Sequence, residues 1–317
     1  MTTRLPGRVP VIVGPTASGK TDLAIALAGQ CGGEIVSADS RQIYRFLDIG
    51  TAKPTPAERE AARHHLIDFL NPDKTFSAGE YAKKARPVVR DVLSRRKIPI
   101  VAGGSGLYVR ALIDGMFEAE SKDESLRALL KKRAEQDGPE PLHAELGRID
   151  PVAAERIHPR DARRIIRALE VFRITGKPIS DIQRNGTRPS GYIFSMWGIA
   201  WPRAVLYGRI DSRVDDMIRR GFVDEVRRLL EMGYTAGLNS LDTLGYREAF
   251  RYLSDEIPME EMIALIKQNT RRFAKRQLTW FRADPRIRWI EPGDGADWPA
   301  VADRILKAES SASPDPS

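Results

Sequence analysis

Cysteine is nearly absent from the sequence, since Cys31 is its only example in 317 residues. One thiol cannot form a disulfide within the chain, and it cannot build a zinc site that needs several cysteines. The sequence also has no apolar run as long as a membrane-spanning helix, and its first residues do not resemble a secretory signal. We therefore expect a cytoplasmic protein that works in a reducing compartment and has no membrane partner.

Strong compositional bias is missing too. Hydrophobic residues make up 42% and charged residues 30% of the chain, which is ordinary for a globular protein. The length allows one large domain with an insertion, or two domains. The formal net charge of +8 favours polyanionic partners, but it would also suit a basic enzyme that binds none.

Short apolar runs that end in polar loops alternate with helical patterns in the first third of the sequence. Val9–Val13, Glu34–Ser37 and Ile98–Ala102 each read as a strand that leads into a loop and a helix. Such units predict an α/β fold, in which helices cover both faces of a parallel sheet. Ligands of such sheets collect at the carboxyl ends of the strands, where all three loops would lie.

Residues 118–188 depart from this alternation, because they are charged and helical in pattern and contain no convincing strand. We interpret them as a helical insertion domain. The α/β core would then comprise residues 1–117 and 189–308, with the apolar run 192–201 returning the chain to the sheet. Residues 309–317 have the composition of a disordered tail.

The segment "GPTASGKT" carries the most specific single motif, because it fits G-x-x-x-x-G-K-[ST] between a strand and a helix. In this motif backbone amides converge on phosphate oxygens, the lysine adds positive charge, and the last hydroxyl coordinates Mg²⁺. We therefore predict a P-loop NTPase-like fold with Thr21 as the magnesium ligand. The predicted phosphate-binding residues are Gly14, Pro15, Thr16, Ala17, Ser18, Gly19, Lys20 and Thr21.

The motif does not specify the reaction. An NTPase usually adds an apolar strand that ends in a metal-binding aspartate, and the best candidate, Asp68 in "HLIDFL", is a weak match. The loop could therefore hold a diphosphate that is not part of a nucleoside triphosphate. Asp39, after the second strand, could bind magnesium, accept a proton from a nucleophile, or only cap the next helix. Position alone leaves these readings even.

Six motifs in a fixed order resemble one family. They are "GPTASGKT", "ADSRQIY…DIGTAKP", "AGGSGLY", "HPRDARRIIRALEVF…TGKP", "LGYRE" and "TRRFAKRQLTWFR". Over about Pro10 to Trp289 they resemble the tRNA dimethylallyltransferases, also called tRNA isopentenyltransferases. One cysteine and a short tail leave no zinc finger of the kind that eukaryotic relatives append, so the chain resembles the compact bacterial form.

The resemblance implies a prenyltransferase that moves a dimethylallyl group from dimethylallyl diphosphate to N6 of adenosine 37 in tRNA, releasing diphosphate. The family prefers tRNAs that read codons beginning with U, and its cofactor is Mg²⁺. By the same resemblance Asp39 is the general base, while Lys20, Thr16 and Arg213 contact the diphosphate, with Arg209 as a nearby substitute for Arg213. We expect a monomer.

The resemblance also implies that the helical insertion domain, residues 118–188, binds tRNA, and it implies a set of tRNA contacts. They are Asp39, Ser40, Arg41, Gln42, Ser105, Asp123, Arg163, Arg164, Ile165, Ile166, Arg167, Asp242, Thr243, Leu244, Gly245, Tyr246 and Arg247. Ser105 stands where the family commonly has threonine.

Helical spacing adds two basic surfaces to this set. Arg163, Arg164 and Arg167 share one helical face, which suits phosphate contact but would also suit plain solvation. A second basic stripe is also an RNA candidate, and it consists of Arg271, Lys275 and Arg282. The aromatic residues opposite that stripe are expected in the core rather than stacked on bases, and they are Phe273, Trp280 and Phe281.

Three other functions compete. An adenylate isopentenyltransferase would prenylate free AMP, ADP or ATP, but the helical insertion and the full motif series argue against it. A kinase or RNA-binding NTPase would hydrolyse ATP without a prenyl donor, and the weak metal-binding strand argues against that. An RNA-binding module without catalysis would explain the charge but would leave the phosphate loop and Asp39 without a role.

Overall fold

The computed structural model describes residues 8–116, 123–186, 189–293 and 295–311. Within these ranges six strands form one sheet, and all its pairings are parallel. The strands are β1 (Arg8–Val13), β2 (Glu34–Ser37), β3 (His64–His65), β4 (Pro99–Gly103), β5 (Ile193–Ile199) and β6 (Ile287–Ile290). Their order across the sheet is β3, β2, β4, β1, β5, β6. The predicted parallel α/β sheet is therefore confirmed.

The helices of the same ranges fall into two compact units. The α/β unit, Met1–Ile113 with Gly191–Ser317, surrounds the sheet, and the helical unit is Asp114–Ser190. The helices are α1 (Lys20–Cys31), α2 (Pro56–Ala61), α3 (Ala78–Ser94), α4 (Gly106–Ile113), α5 (Glu124–Asp137), α6 (Glu140–Ile149), α7 (Pro151–Arg156), α8 (Ala162–Thr175), α9 (Ile179–Gly186), α10 (Arg203–Arg219), α11 (Phe222–Glu231), α12 (Tyr246–Leu253), α13 (Met259–Arg282) and α14 (Trp298–Ser311). None of these described helices has the length and apolar character that crossing a bilayer would need.

Strand order brings the functional loops to one edge of the sheet. β4 lies between β1 and β2, so β2 and β1 are not neighbours, although Val11 and Val36 both align with Val101. The carboxyl ends of the three strands therefore lie side by side. At Gly103 an added Cβ would be 2.1 Å from the Ala38 carbonyl oxygen, so the backbones after β2 and β4 approach too closely for any side chain.

Two strands were not predicted from the sequence patterns. β3 has only two residues, and β6 has four residues at the end of a basic segment, so neither shows a usable alternation. β6 nevertheless pairs with β5 over Met196–Ile199, and its Ile287 and Ile290 are buried.

The expected disordered tail needs correction at its start. α14 continues to Ser311, so residues 309–311 are helical. The helix is held because Ile305 and Leu306 belong to the core that covers the sheet, and because Glu309 is buried and accepts a hydrogen bond from Trp197 Nε1 at 3.0 Å. Residues 312–317 lie outside the described residues.

The helical unit has its own core. Leu130 from α5, Leu142 and Leu146 from α6, and Ile165 and Leu169 from α8 are buried together. The apolar face of α8 that the sequence predicts is thus the packed face of this unit.

Candidate active site

The phosphate loop, Gly14–Thr21, joins a buried strand to a helix whose N-terminus carries no side-chain cap. β1 supplies Val11 and Val13, which are fully buried, and α1 begins at Lys20. Gly19 occupies the N-cap in the left-handed region, with φ 91°, and has no side chain that could accept hydrogen bonds from the first amides of the helix. The first amides of α1 therefore remain available to an anion. The buried Ser18 hydroxyl also has no hydrogen-bond partner among the described residues.

Lys20 lies at the centre of the charged groups in this site. Its Nζ donates to the Pro15 carbonyl oxygen at 2.7 Å. Burial lowers the pKa of Lys20 from 10.5 to about 8, the Asp39 carboxylate opposes that change, and the Arg213 guanidinium adds to it. Lys20, Asp39 and Arg213 line the same cavity, which agrees with these electrostatic effects.

Asp39 is bonded to the backbone of the turn that follows β2 and also lines the cavity. Its Oδ1 accepts hydrogen bonds from the amides of Arg41 at 2.8 Å and Gln42 at 3.3 Å, so it shapes the turn after β2. For Oδ2 the described residues provide no partner, and Asp39 lines the same cavity as Lys20. One carboxylate oxygen is therefore fixed by the backbone while the residue remains open to a ligand.

A cavity of about 1090 Å³ lies above the sheet edge within the α/β unit. Its wall brings together most of the site residues that the sequence predicted in this unit, namely Thr16, Ala17, Ser18, Gly19, Lys20, Thr21, Asp39, Ser40, Arg41, Gln42, Ser105, Arg209, Arg213, Asp242, Thr243, Leu244, Gly245 and Arg247. Gly14, Pro15 and Tyr246 are buried outside this lining.

The two candidate arginines of α10 have different surroundings. Arg213 faces the cavity, where burial lowers its pKa and the Asp39 carboxylate opposes the change. Arg209 donates from Nε to the Ala17 carbonyl at 2.8 Å, and its guanidinium lies over the Trp201 ring, 4.8 Å from the ring centroid. Both arginines line the cavity, but Arg209 also holds the backbone of the phosphate loop.

The helix face around Arg213 is not a plain solvated surface. Asp211 of α10 forms an ion pair with Arg271 at 2.6 Å, and Asp215 forms one with Lys267 at 2.6 Å. These acids tie α10 to α13 and leave Arg213 for the cavity. Arg271 is consequently engaged in the fold, which weakens its assignment to the predicted RNA-binding stripe.

Several predicted tRNA contacts already hold protein atoms. Ser105 Oγ accepts from the Ser40 amide at 2.9 Å and donates to Ser40 Oγ at 3.0 Å, so the hydroxyl is fixed without a threonine methyl group. Arg41 donates to the Asn239 carbonyl at 2.6 Å. Gln42 Nε2 donates to the Ala52 carbonyl at 2.9 Å. These bonds give the cavity wall a defined shape.

Three residues of the predicted tRNA-binding set have side chains that cannot reach RNA. Ile165 and Ile166 are buried in the core of the helical unit, because they lie on the apolar face of α8. Tyr246 is fully buried, and its hydroxyl donates to Glu225 Oε1 at 2.7 Å. Each belongs to a motif whose exposed neighbours are the better candidates.

The remaining predicted contacts lie in the helical unit. Asp123 accepts from the Leu126 amide at 2.9 Å and thereby caps α5. Arg163 and Arg164 are exposed, whereas Arg167 is partly buried and donates to the buried Glu170 at 2.7 Å. Exposure alone does not decide between solvation and phosphate contact for Arg163 and Arg164. Arg167, by contrast, is paired with Glu170 within the protein.

Gln277 of α13 supports the site, although no sequence pattern singled it out. Its Oε1 accepts from the Thr16 amide at 2.8 Å, and its Nε2 donates to the Gly104 carbonyl at 3.0 Å. It therefore joins the phosphate loop to the loop after β4. A polar residue four positions from both Phe273 and Phe281, on the same helical face, was the available signal.

The aromatic residues of α13 differ in how far they are buried. Phe281 is buried, as expected, and Phe273 is half-buried at the cavity wall. The expectation of burial is wrong for Trp280, which is 41% exposed. It packs its indole edge against Gly106, where an added Cβ would lie 2.1 Å from Nε1.

Asp68 is not a metal-binding residue at the end of a long strand. β3 ends at His65, and Asp68 pairs with Lys53 at 2.8 Å and Arg59 at 3.6 Å. The weak sequence match to an NTPase strand therefore has no counterpart in the site.

Known proteins share both the sequence and the fold. The family model described as IPP transferase matches residues 42–284. The tRNA dimethylallyltransferase of Carboxydothermus hydrogenoformans is 49% identical over 286 residues, covering 89% of this chain and 91% of that protein. The tRNA dimethylallyltransferase of Pelotomaculum thermopropionicum is 46% identical over 298 residues, with 94% and 95% covered.

Solved structures agree with these matches. The tRNA isopentenylpyrophosphate transferase of Bacillus halodurans has a TM-score of 0.69 at 37% identity, covering 96% of this chain and 98% of that chain. A eukaryotic dimethylallyltransferase, described as acting on tRNA, has a TM-score of 0.80 at 28% identity, covering 95% and 78%. The resemblance found in the motifs is confirmed, and the chain belongs to the IPP transferase family.

Proposed function

We propose that this protein transfers the dimethylallyl group of dimethylallyl diphosphate to N6 of adenosine 37 in tRNA and releases diphosphate. One observation carries the proposal: Lys20, Arg213 and Asp39 line a single cavity beside helix amides that no side chain caps. Two cations suit a diphosphate, and a carboxylate beside them suits a nucleophile that must lose a proton. The printed names of the relatives support the same reaction.

The leaving group explains the cationic side of the site. The exocyclic amine of adenine is a weak nucleophile, so the allylic C–O bond must be made easy to break. As that bond breaks, negative charge grows on the departing diphosphate. The amides at the start of α1, Lys20 and Arg213 lie where they would stabilise this charge, which is the usual largest contribution of such sites to catalysis.

Asp39 supplies the basic side. As the new C–N bond forms, the N6 amine loses one proton, and Asp39 accepts it through the oxygen that the Arg41 and Gln42 amides do not occupy. The same carboxylate stabilises positive charge that develops on the allylic group. Thr16 lies at the cavity wall beside the expected diphosphate, with its amide held by Gln277.

Mg²⁺ belongs to the proposal as cofactor. The ion prefers oxygen ligands, retains several waters and commonly binds substrate phosphates together with one or two protein groups. Thr21, Asp22 and Glu58 line the cavity beside the loop, and burial together with Glu58 raises the pKa of Asp22. No group of three or more His, Cys, Asp or Glu in the described ranges could hold a metal. Thr21 and diphosphate oxygens would therefore hold the ion, which would neutralise charge on the diphosphate.

The cavity has room for two reactants. Pockets of about 300–1,000 Å³ accommodate a small molecule, and this one measures about 1090 Å³. An adenine that leaves its stack and enters beside the donor would be in reach of Asp39, at a flipping cost of a few kcal/mol. Exposed Arg247 and Asp242 lie at the same wall and are assigned to the tRNA, while Arg163 and Arg164 are assigned to it in the helical unit.

The acceptor is tested by diphosphate release. We expect release only when dimethylallyl diphosphate and tRNA are both present, and we expect tRNAs that read codons beginning with U to react best. Release with AMP in place of tRNA would indicate an adenylate isopentenyltransferase. Phosphate release from ATP without the prenyl donor would indicate an NTPase.

The proposal also includes a monomeric state and a cytoplasmic location. Size-exclusion chromatography tests the monomer.

A further inference from the structure

Three side chains from the second half of the chain support the phosphate loop from the side away from its helix amides. Arg209 donates to the Ala17 carbonyl at 2.8 Å, and Trp201 Nε1 donates to the Ser18 carbonyl at 3.0 Å. The two donors are stacked on each other, with the guanidinium 4.8 Å from the Trp201 ring centroid. Trp298 meets the Trp201 ring edge to face, with centroids 6.4 Å apart.

These contacts determine the orientation of two consecutive peptide planes. In a trans peptide the N–H points away from the carbonyl that precedes it. Holding the Ala17 and Ser18 carbonyls therefore directs the Ser18 and Gly19 amides the other way. In this structure the Ser18 amide makes only a long contact of 3.3 Å with the Pro15 carbonyl, so it has weak competition for a ligand.

The loop conformation needs such support. Ala17 has φ 62°, in the left-handed region that a residue with a Cβ seldom adopts. Gly19 leaves no space for a side chain, since an added Cβ would lie 2.1 Å from the Trp298 ring. The strained residue and the tight glycine are both at the positions that Arg209, Trp201 and Trp298 touch.

We propose that Arg209, stacked on Trp201, is a positioning residue that presets the phosphate loop for a diphosphate, and that it is not itself a diphosphate ligand. Trp201 is outside the cavity lining, and its indole N–H is occupied by the Ser18 carbonyl. An effect of Trp201 on diphosphate binding must therefore pass through the loop. The inference rests on the proposed function only in taking a diphosphate as the group that the loop binds.

Binding of inorganic diphosphate, measured by calorimetry without prenyl donor or tRNA, tests the inference. We expect Arg209→Ala and Trp201→Phe each to weaken binding about tenfold or more, the effect of losing one hydrogen bond of this type. Because the two donors are stacked on each other and hold consecutive peptides of one loop, we expect the double variant to be no weaker than about the worse single variant. Arg203→Ala is the matched control, since Arg203 lies over Tyr207 at 5.1 Å on the same helix but not in the cavity.

Other outcomes would overturn the inference. If Arg209→Ala weakens binding while Trp201→Phe leaves it unchanged, Arg209 is a direct ligand. If neither changes binding, the loop is set without them. Arg209→Lys, which keeps the charge but not the stacked planar group, should bind as weakly as Arg209→Ala. Melting temperatures identify a misfolded variant. If Arg209→Ala misfolds, Trp201→Phe still tests the inference, because it is the milder replacement. Wild-type protein that binds diphosphate in this pattern but transfers no prenyl group would sink the proposed function alone.

Discussion

Single residues in this site act through one another's charge. Burial lowers the pKa of both Lys20 and Arg213, the Asp39 carboxylate opposes the change for both, and the Arg213 guanidinium lowers the pKa of Lys20 further. A diphosphate would relieve the repulsion between the two cations, which gives the free site a preference for an anion. The Asp39 carboxylate stays beside them because the turn after β2 holds one of its oxygens.

Replacing the base isolates its role. We expect Asp39→Asn to lower the single-turnover rate of prenyl transfer about 10²–10⁴-fold, because the amide cannot accept the N6 proton. Binding of the donor should not weaken, since a negative charge beside the diphosphate has been removed. Rapid-quench measurement of prenylated tRNA checks the rate, and a variant that keeps most of it would remove Asp39 from the mechanism.

Lys20 predicts a pH dependence of donor binding. Its pKa is lowered to about 8, so in the free protein it loses its charge as the pH rises through that value. Only the protonated form attracts the diphosphate, so affinity for dimethylallyl diphosphate should fall above about pH 8. Lys20→Arg stays charged and is the control, because its affinity should lack this fall between pH 7.5 and 9.5, values chosen to bracket the transition. Equal pH profiles would contradict the assignment.

Motif residues were accessible from the sequence, and their supports were not. Thr16, Lys20 and Asp39 occupy one cavity because a local pattern places each at the end of a strand. Gln277 could not be found the same way, since its partners are 261 and 173 residues away. The motif that contains Arg163 and Arg164 also suggested Ile165 as a tRNA contact, but the side chain of Ile165 is buried in the core of the helical unit.

At the scale of elements, α13 connects the site to the rest of the α/β unit. Its 24 residues place Gln277 between the phosphate loop and the loop after β4, and they place Lys267 and Arg271 against α10. Helices and the main strands followed from periodicity. The order of the strands could not be predicted in this way, because no local pattern in β2 indicates that β4 lies between it and β1.

The bridge made by Gln277 predicts a stability effect. Gln277→Leu would leave the Thr16 amide and the buried Gly104 carbonyl without their partner. We expect a loss of about 1–3 kcal/mol in the free energy of unfolding, from urea denaturation. Thr279→Ala, two positions along at an exposed site, should change it by no more than about 0.5 kcal/mol. Equal stability of the two variants would show that the bridge contributes nothing.

The loop after β2 depends on one buried acid. Glu225 of α11 accepts from the amides of Asp48 at 2.9 Å, Ile49 at 2.7 Å and Gly50 at 3.1 Å, and from the Tyr246 hydroxyl. Glu225→Gln replaces an acceptor oxygen with a donor and should cost about 1.5–3 kcal/mol of unfolding free energy. Glu231→Gln, exposed on the same helix, is the control. A variant as stable as that control would contradict this reading of the loop.

At the scale of the whole molecule, most of the net positive charge belongs to the α/β unit, because Asp114–Ser190 holds 15 Lys and Arg against 14 Asp and Glu. The α/β unit holds the chemistry, and the helical unit offers Arg163 and Arg164 at its surface. The formal charge of +8 permits a polyanionic partner, and the motif series and the names of the relatives support the proposal that this partner is tRNA.

Charge reversal in the helical unit separates tRNA binding from the chemistry. We expect Arg163→Glu with Arg164→Glu to weaken tRNA binding and to flatten its dependence on salt, because phosphate contacts are lost. Donor binding should not change. Lys131→Glu with Lys132→Glu makes the same charge change on α5 and should have the smaller effect. Equal weakening by both pairs, in filter-binding titrations, would reduce the arginines to a general field effect.

Mass analysis of adenosine 37 tests the central claim most directly. Purified protein is incubated with unmodified tRNA, Mg²⁺ and dimethylallyl diphosphate, and the nucleosides are then separated. The account predicts that adenosine 37 gains one dimethylallyl group at N6 while diphosphate appears in equal amount. Adenosine 37 that stays unmodified, in a preparation that binds both donor and tRNA, would contradict it.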